Sequence, residues 1–220
     1  MKVKLISYTV PVGELTGIAD GVDLINYCAT QMPVIKNLKE RFERDDLVKK
    51  LIQNQWWEPL ELIAMTVEIE TNTELAKELY RHKSFTFQKI EHDLEFCIQD
   101  IAFFDKSSPN NFRKPTEEES SINEEWKRQQ QAVIDLALET WQWAKKHNVP
   151  SSLARCVLPT GNTLTKIYMH GNLRRWINFL ETRGSPGLHN TQHQAISLAC
   201  AEVIATVFPN INTYLNKTLK

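Results

Sequence analysis

Between Leu62 and Glu70 apolar and polar residues alternate, with Ile63, Met65, Val67 and Ile69 on one side, and this predicts a half-buried β-strand. From Ile122 to His147 the period changes. Trp126, Val133, Ala137, Trp141 and Ala144 recur at helical spacing and predict one long helix ending before Val149-Pro150. Residues 2–10 alternate weakly and predict an edge strand that stops at Pro11. Helices are expected from about Asp20, with Leu24, Ile25 and Cys28 on one face, and over 45–54, opened by Asp45-Asp46. The charged stretch 33–44 fits either a helix or an irregular loop.

A helix over 71–81 follows the first strand, capped by Thr71 or Asn72, and Phe85 and Phe87 alternate in a short segment that can form a strand. Residues 105–121 carry two prolines and many polar groups and predict a loop that includes Glu117-Glu118-Glu119. Beyond the long helix, a short helix at 151–157, a strand near 163–170 and helices at about 172–182 and 190–207 complete the chain, with Pro209 after the last. Strands interspersed with helices, and a long helical second half, predict an α/β (α+β) fold around a central mixed sheet. Periodicity leaves the pairing direction open.

Composition changes this picture little. The 220 residues fit a single domain over 1–220, and 42% hydrophobic with 24% charged residues is ordinary for a globular protein. A formal net charge of −1 gives no global field toward nucleic acid or an anionic membrane. No stretch reaches the ~20 apolar residues of a membrane helix. The start, MKVKLISY, lacks the pattern of a signal peptide. Cys28, Cys97, Cys156 and Cys200 form no C-x-x-C pair and are expected as reduced thiols of a cytoplasmic protein.

Local cationic clusters carry the candidate chemistry. Arg81-His82-Lys83 sits where a helix runs out and suits a phosphate, although a solvated helix end has the same composition. Leu153 to Pro159 places Arg155 in an otherwise apolar turn, where it needs an anionic partner from ligand or protein. In the run from Gly171 to Arg183, Asn172 can cap a helix, and Arg174, Asn178 and Arg183 can share one side of it. His189-x3-His193 has the spacing of a metal pair, but no third ligand lies near and surface histidines are the simpler reading. Trp56-Trp57 can stack on a ring system or pack against protein.

In order and spacing these clusters resemble the flavin-dependent thymidylate synthases, above all the short viral members, over Leu24 to about Pro209. The family pattern of Arg-His-Arg, seven residues, Ser and, two places on, Arg reads here as Arg81-His82-Lys83, SFTFQKI, Glu91-His92-Asp93. Its His-x4-Glu reads Trp56-x4-Glu61. A-R-x-x-L-P is present as Ala154 to Pro159, T-x-I-Y-M-x-G as Thr165 to Gly171, then N-x-R at Asn172 and Arg174, and L-x-x-R at Leu180 to Arg183.

The resemblance implies an α/β domain assembling as a homotetramer with active sites at subunit interfaces. It implies FAD, reduced by NADPH, carrying a methylene from methylenetetrahydrofolate to C5 of dUMP or a related pyrimidine nucleotide, with no cysteine nucleophile. By matching position, His82, Lys83, Asn172, Arg174, Asn178 and Glu61 would hold the cofactor. Arg81, Arg155, Gln88 and Arg183 would face the nucleotide, Arg183 as the catalytic group. No metal, nucleic acid or membrane is implied, and the location is cytoplasmic, or host cytoplasm for a viral protein.

The departures fall on the nucleotide side. Glu91 and Asp93 replace the Ser and Arg of the pattern, Lys89 stands where the family usually has Glu, and Glu78 where it often has Gln. A carboxylate ~5 Å from a phosphate charge, at an effective dielectric near 20, costs on the order of 3 kcal/mol per unit-charge pair, roughly a hundredfold in affinity. Three functional readings follow. One is a flavin enzyme with an altered nucleotide site, and another is a catalytically silent paralogue that binds FAD or partners an intact synthase. The third is full synthase activity with Arg113 or another loop residue replacing the lost phosphate contact.

Overall fold

The computed structural model describes residues 1–13, 17–36, 44–90, 94–101, 103, 113–184 and 191–211. The elements run β1 (Lys2–Tyr8), α1 (Gly21–Thr30), α2 (Pro33–Lys36), α3 (Arg44–Gln53), α4 (Glu58–Glu61), β2 (Ala64–Asn72), α5 (Thr73–Leu79) and β3 (Thr86–Ile90). After these come α6 (Glu117–Lys146), α7 (Ser151–Ala154), a 3-10 turn (Arg155–Val157), β4 (Leu164–Asn172), α8 (Leu173–Gly184), α9 (Thr191–Ala205) and a 3-10 turn (Pro209–Ile211). The expected α/β fold is observed.

The four strands form one sheet ordered β1-β2-β4-β3. Hydrogen bonds supply the direction that periodicity left open. Thr9 N–H donates to Ala64 O, Leu173 N–H to Ile63 O and Thr73 N–H to Thr163 O, each joining the end of one segment to the start of the next, so these pairs are antiparallel. In this register Thr66 lies opposite His170, sharing a 3.0 Å hydrogen bond, and Glu70 opposite Lys166 at 3.7 Å. Even-numbered positions of β2 therefore carry the polar face. Its odd positions Met65, Val67 and Ile69, like Ile63 just before the strand, are fully buried, as the alternation predicts.

Two compact units emerge, cutting across β2, β3 and β4. Unit 1 comprises Met1, Glu70–His82 and Lys89–Ile167; unit 2 comprises Lys2–Ile69, Lys83–Gln88 and Tyr168–Lys220.

In unit 1, α6 begins five residues earlier than the pattern predicts, and Glu117-Glu118-Glu119 is its first turn rather than loop. The cause is a capping box: Thr116 Oγ1 accepts from Glu119 N–H, and the Glu119 carboxylate accepts from Thr116 N–H at 2.9 Å. Arg113 completes it with paired contacts of 2.6 and 2.7 Å, which hold the Glu119 carboxyl well below its usual range, at about 2. At the other end Asn148 takes φ 57°, Val149 N–H donates to Ala144 O and Asn148 N–H to Lys145 O, a left-handed cap that stops the helix just before Pro150.

Along α6, Ile122, Trp126, Val133, Leu136 and Trp143 recur every three, four or seven residues on one stripe, and all are 47–66% exposed. An apolar seam of this spacing suits another helix better than water. Among the described residues no helix is long and apolar enough to cross a membrane.

In unit 2, Asp20 caps α1 by accepting from Val22 and Asp23 N–H. Leu173, Trp176, Ile177 and Leu180 bury one side of α8, while Arg174, Arg175 and Asn178 stay exposed. His193 is buried in α9, 3% exposed, so the surface reading does not hold for it; His189 lies outside the described residues. Among the described residues no group of acidic, His and Cys side chains could hold a metal.

Candidate functional site

A polar recess of unit 2 is built from three chain segments. First, α3 ends with Gln55 at φ 58°, Trp56 N–H donating to Leu51 O and Gln55 N–H to Ile52 O. That hydrogen-bond pattern normally recruits glycine at the left-handed position. The sharp exit delivers Trp57, and four residues later, one helical turn on, Glu61 ends α4.

Second, β4 passes directly into α8, where Asn172 Oδ1 accepts from Arg175 N–H at 3.0 Å and so caps the helix. The first turns of α8 then project Arg174, Arg175, Asn178 and Glu181 on its open side. The third segment contributes Ser84. The recess holds about 590 Å³, within the range of small-molecule sites.

Arg174 joins the walls. Its guanidinium donates to Glu61 Oε1 and lies 5.2 Å from the centre of the Trp57 ring. Both charged partners are partly exposed, 47% and 42%, so the pair contributes only ~0–1 kcal/mol to stability. Two guanidinium groups face two carboxylates, and Gln55, Asn172 and Asn178 add amides that both donate and accept. Such a neutral, mixed lining beside an aromatic face suits a flat heterocycle with donors and acceptors on its edge.

The Ser84 segment is fixed by its neighbour. Phe85 is 7% exposed and meets Trp176 edge-on at 4.9 Å and Phe179 at 5.9 Å. Gly171 makes room for it, since a Cβ there would stand 2.7 Å from two Phe85 ring carbons.

Unit 1 contains a second recess of about 330 Å³, lined by Lys89 and Ile90 from β3, Trp141 of α6, Arg155 and threonines of the β4 approach. No carboxylate is among its described lining residues. Burial pushes the thiols of Cys97 and Cys200 upward, which makes them poor nucleophiles.

Residues 19–210 match the family model described as thymidylate synthase complementing protein. The chain belongs to that family. It is 29% identical over 216 residues to the probable flavin-dependent thymidylate synthase of Paramecium bursaria Chlorella virus 1, covering 96% of this chain and 97% of the relative. It is 27% identical, with the same coverage, to the flavin-dependent thymidylate synthase of Synechocystis sp..

Against this family background the predicted site residues divide into groups. Glu61, Asn172, Arg174 and Asn178, expected at a cofactor, line one recess of unit 2. Arg155 lines the recess of unit 1. The Arg81-His82-Lys83 run straddles the boundary between the units: Arg81 and His82 belong to unit 1, Lys83 to unit 2. Arg81 is 76% exposed with Glu78 at 3.9 Å, His82 is half-buried, and Lys83 is exposed next to Ser84. Gln88 is exposed on β3.

Arg183 does not share the open side of α8 with Arg174 and Asn178. It lies nine residues beyond Arg174, two and a half turns at 3.6 residues per turn, and therefore on the opposite side of the helix. Arg113 is engaged by Glu119 and stands 5.5 Å from the Phe103 ring centre. Glu91 and Asp93 lie outside the described residues.

Sequence reasoning passed over Gln55, Arg175 and Glu181, and left Trp57 open. The spacing of Arg174, Asn178 and Glu181 was a signal available in advance; Gln55 offered none, because a non-glycine residue hides a left-handed cap.

Proposed function

We propose that this protein is a flavin-dependent enzyme of its family acting at C5 of a pyrimidine nucleotide, dUMP or a close relative. The observation that carries this reading is the gathering of Glu61, Asn172, Arg174 and Asn178, separated by up to 117 positions in sequence, around one recess. These residues fit a flavin: the mixed donors and acceptors suit the edge of its ring system, and the N-terminus of α8 with Arg174 and Arg175 suits its phosphates. When bound, FAD would supply the redox chemistry, with NADPH as reductant and methylenetetrahydrofolate as one-carbon donor. The chain's own part is to orient. Trp57 and Glu61 hold the Arg174 fork in place, and Asn172 fixes the start of the helix that presents it. Lys83 adjoins the recess in sequence, His82 precedes it, and Arg81, Arg155, Gln88 and Arg183 remain the candidates for the nucleotide, Arg183 from the far side of α8.

The exposed seam on α6 supports assembly into a homotetramer, with sites completed between subunits. Leu136→Glu, which places a charge mid-seam, is expected to reduce the assembled mass in light scattering without unfolding the monomer; an unchanged mass would remove α6 from the interface. Four free cysteines support a cytoplasmic location.

The decisive experiment is the visible spectrum of the purified protein, with and without added FAD, followed by NADPH oxidation with dUMP and folate. Flavin absorption with nucleotide-dependent NADPH oxidation is the expected result. Bound flavin without oxidation on any pyrimidine nucleotide would favour the silent paralogue. No bound flavin would remove the proposal.

A further inference from the structure

We propose that Gln55 is a specificity-determining residue of the unit 2 recess, its amide reading the donor–acceptor edge of a ligand ring. This rests on the reading that the recess takes a flavin nucleotide, and it names the residue that recognises one of the two rings.

Three observations converge on it. The first is backbone strain. Among the described residues positive φ occurs at Gly17, Asn148 and Gln55, at 81°, 57° and 58°. Glycine takes this conformation freely and asparagine with little strain, whereas a long side chain with a Cβ does not. Gln55 is the exception among the three, and it alone of them lines this recess. A strained position that persists beside a recess points to a task for its side chain.

The second is that the fold gives this side chain no other task. Gln55 is exposed, and its amide has no hydrogen-bond partner among the described residues. Neighbours in the recess are committed: Asn172 Oδ1 accepts from Arg175 N–H, and Glu61 accepts from Arg174. The helix stop uses only backbone here, through Gln55 N–H to Ile52 O at 3.1 Å and Trp56 N–H to Leu51 O at 2.8 Å. Glycine would serve as well.

The third is placement. Those two hydrogen bonds run back to the buried Leu51 and Ile52, so the amide is presented from a fixed backbone. Two residues on, Trp57 lines the same recess with an aromatic face. A glutamine amide pairs in bidentate fashion with a ring edge that carries an acceptor beside a donor. Adenine and the pyrimidine-like end of isoalloxazine both present such an edge.

The test is calorimetric titration of the full protein with FAD, FMN and ADP, and a thermal melt without ligand. Wild type is compared with Gln55→Met, which keeps the length and the strain but removes the amide, and with Gln55→Gly, which removes both. Each variant is expected to bind FAD about three- to tenfold more weakly, the size of one or two neutral hydrogen bonds. Without ligand, Gln55→Gly should melt about 2–4 °C higher as the strain is released, and Gln55→Met within about 2 °C of wild type. Weaker binding by a more stable protein is a result that a merely structural glutamine does not give. A loss shared with FMN alone places the amide at the isoalloxazine, and one shared with ADP alone at the adenine; either supports the assignment. A loss shared with both or with neither belongs to the recess as a whole and overturns it. So does unchanged FAD affinity in Gln55→Met, or a Gln55→Gly protein that melts no higher than wild type. Absent FAD binding by wild type sinks the proposed function and this assignment together, whereas wild-type binding with unaffected variants sinks the assignment only.

Discussion

Arg174→Ala is expected to lower affinity for FAD roughly ten- to a hundredfold, the loss of ~1.5–3 kcal/mol from a charge-assisted contact. Stability should change far less. The Glu61–Arg174 pair is almost half exposed, and such pairs contribute ~0–1 kcal/mol, a melting shift of no more than about 2–4 °C in a chain of this size. Affinity and stability thus part company, which a merely structural arginine would not produce. Arg174→Lys should fall between wild type and alanine, because it keeps the charge and loses the planar fork that spans Glu61 and the Trp57 ring. Flavin fluorescence titration and a thermal melt on the same samples measure both quantities. Unchanged FAD affinity in Arg174→Ala would remove the unit 2 recess from cofactor binding.

Phe85→Ala carries the largest expected cost in stability. A buried phenylalanine truncated to alanine loses ~3–5 kcal/mol, which lowers the melting temperature by roughly 6–20 °C here. Three aromatic neighbours make the site hard to collapse, with Trp176 at 4.9 Å, Phe179 at 5.9 Å and Phe87 at 6.3 Å from the Phe85 ring. Gly171→Ala should cost ~1–3 kcal/mol by overpacking, since its Cβ would meet the same ring at 2.7 Å. The double variant is the sharper measurement. With the ring gone the new methyl has room, so the two losses should sum to more than the double variant shows, by ~0.5 kcal/mol or more. Strict additivity in thermal or denaturant unfolding would show that Gly171 is not shaped by Phe85.

Local elements were readable because burial imprints a period on the chain. The alternation over β2 names its buried positions directly, the helical spacing over α6 names the helix although Trp126 and Val133 of that pattern stay exposed, and Asn72, Asp20 and Asn172 announce the helices they cap. Boundaries were less readable where side chains outside the pattern extend an element. The capping box at Thr116 and Glu119 turned expected loop into helix, because glutamates suit a first helical turn as well as they suit water. The left-handed cap at Gln55 had no signal, since the surrounding packing rather than glycine holds that conformation.

The candidate site divides in the same way. The amino-acid sequence alone determined the α/β class, the order of the cationic clusters and, through them, the family. It also named Glu61, Asn172, Arg174 and Asn178 before any geometry was in view. Only the tertiary structure decided that Glu61 closes on Arg174, that Arg183 turns to the far side of α8, and that Arg155 shares its recess with Lys89 and Thr165. The reason is physical: periodicity records how each residue sits on its own helix or strand, over a few positions. Which distant charges meet depends on strand register and helix rotation, and these are settled by packing among segments a hundred residues apart.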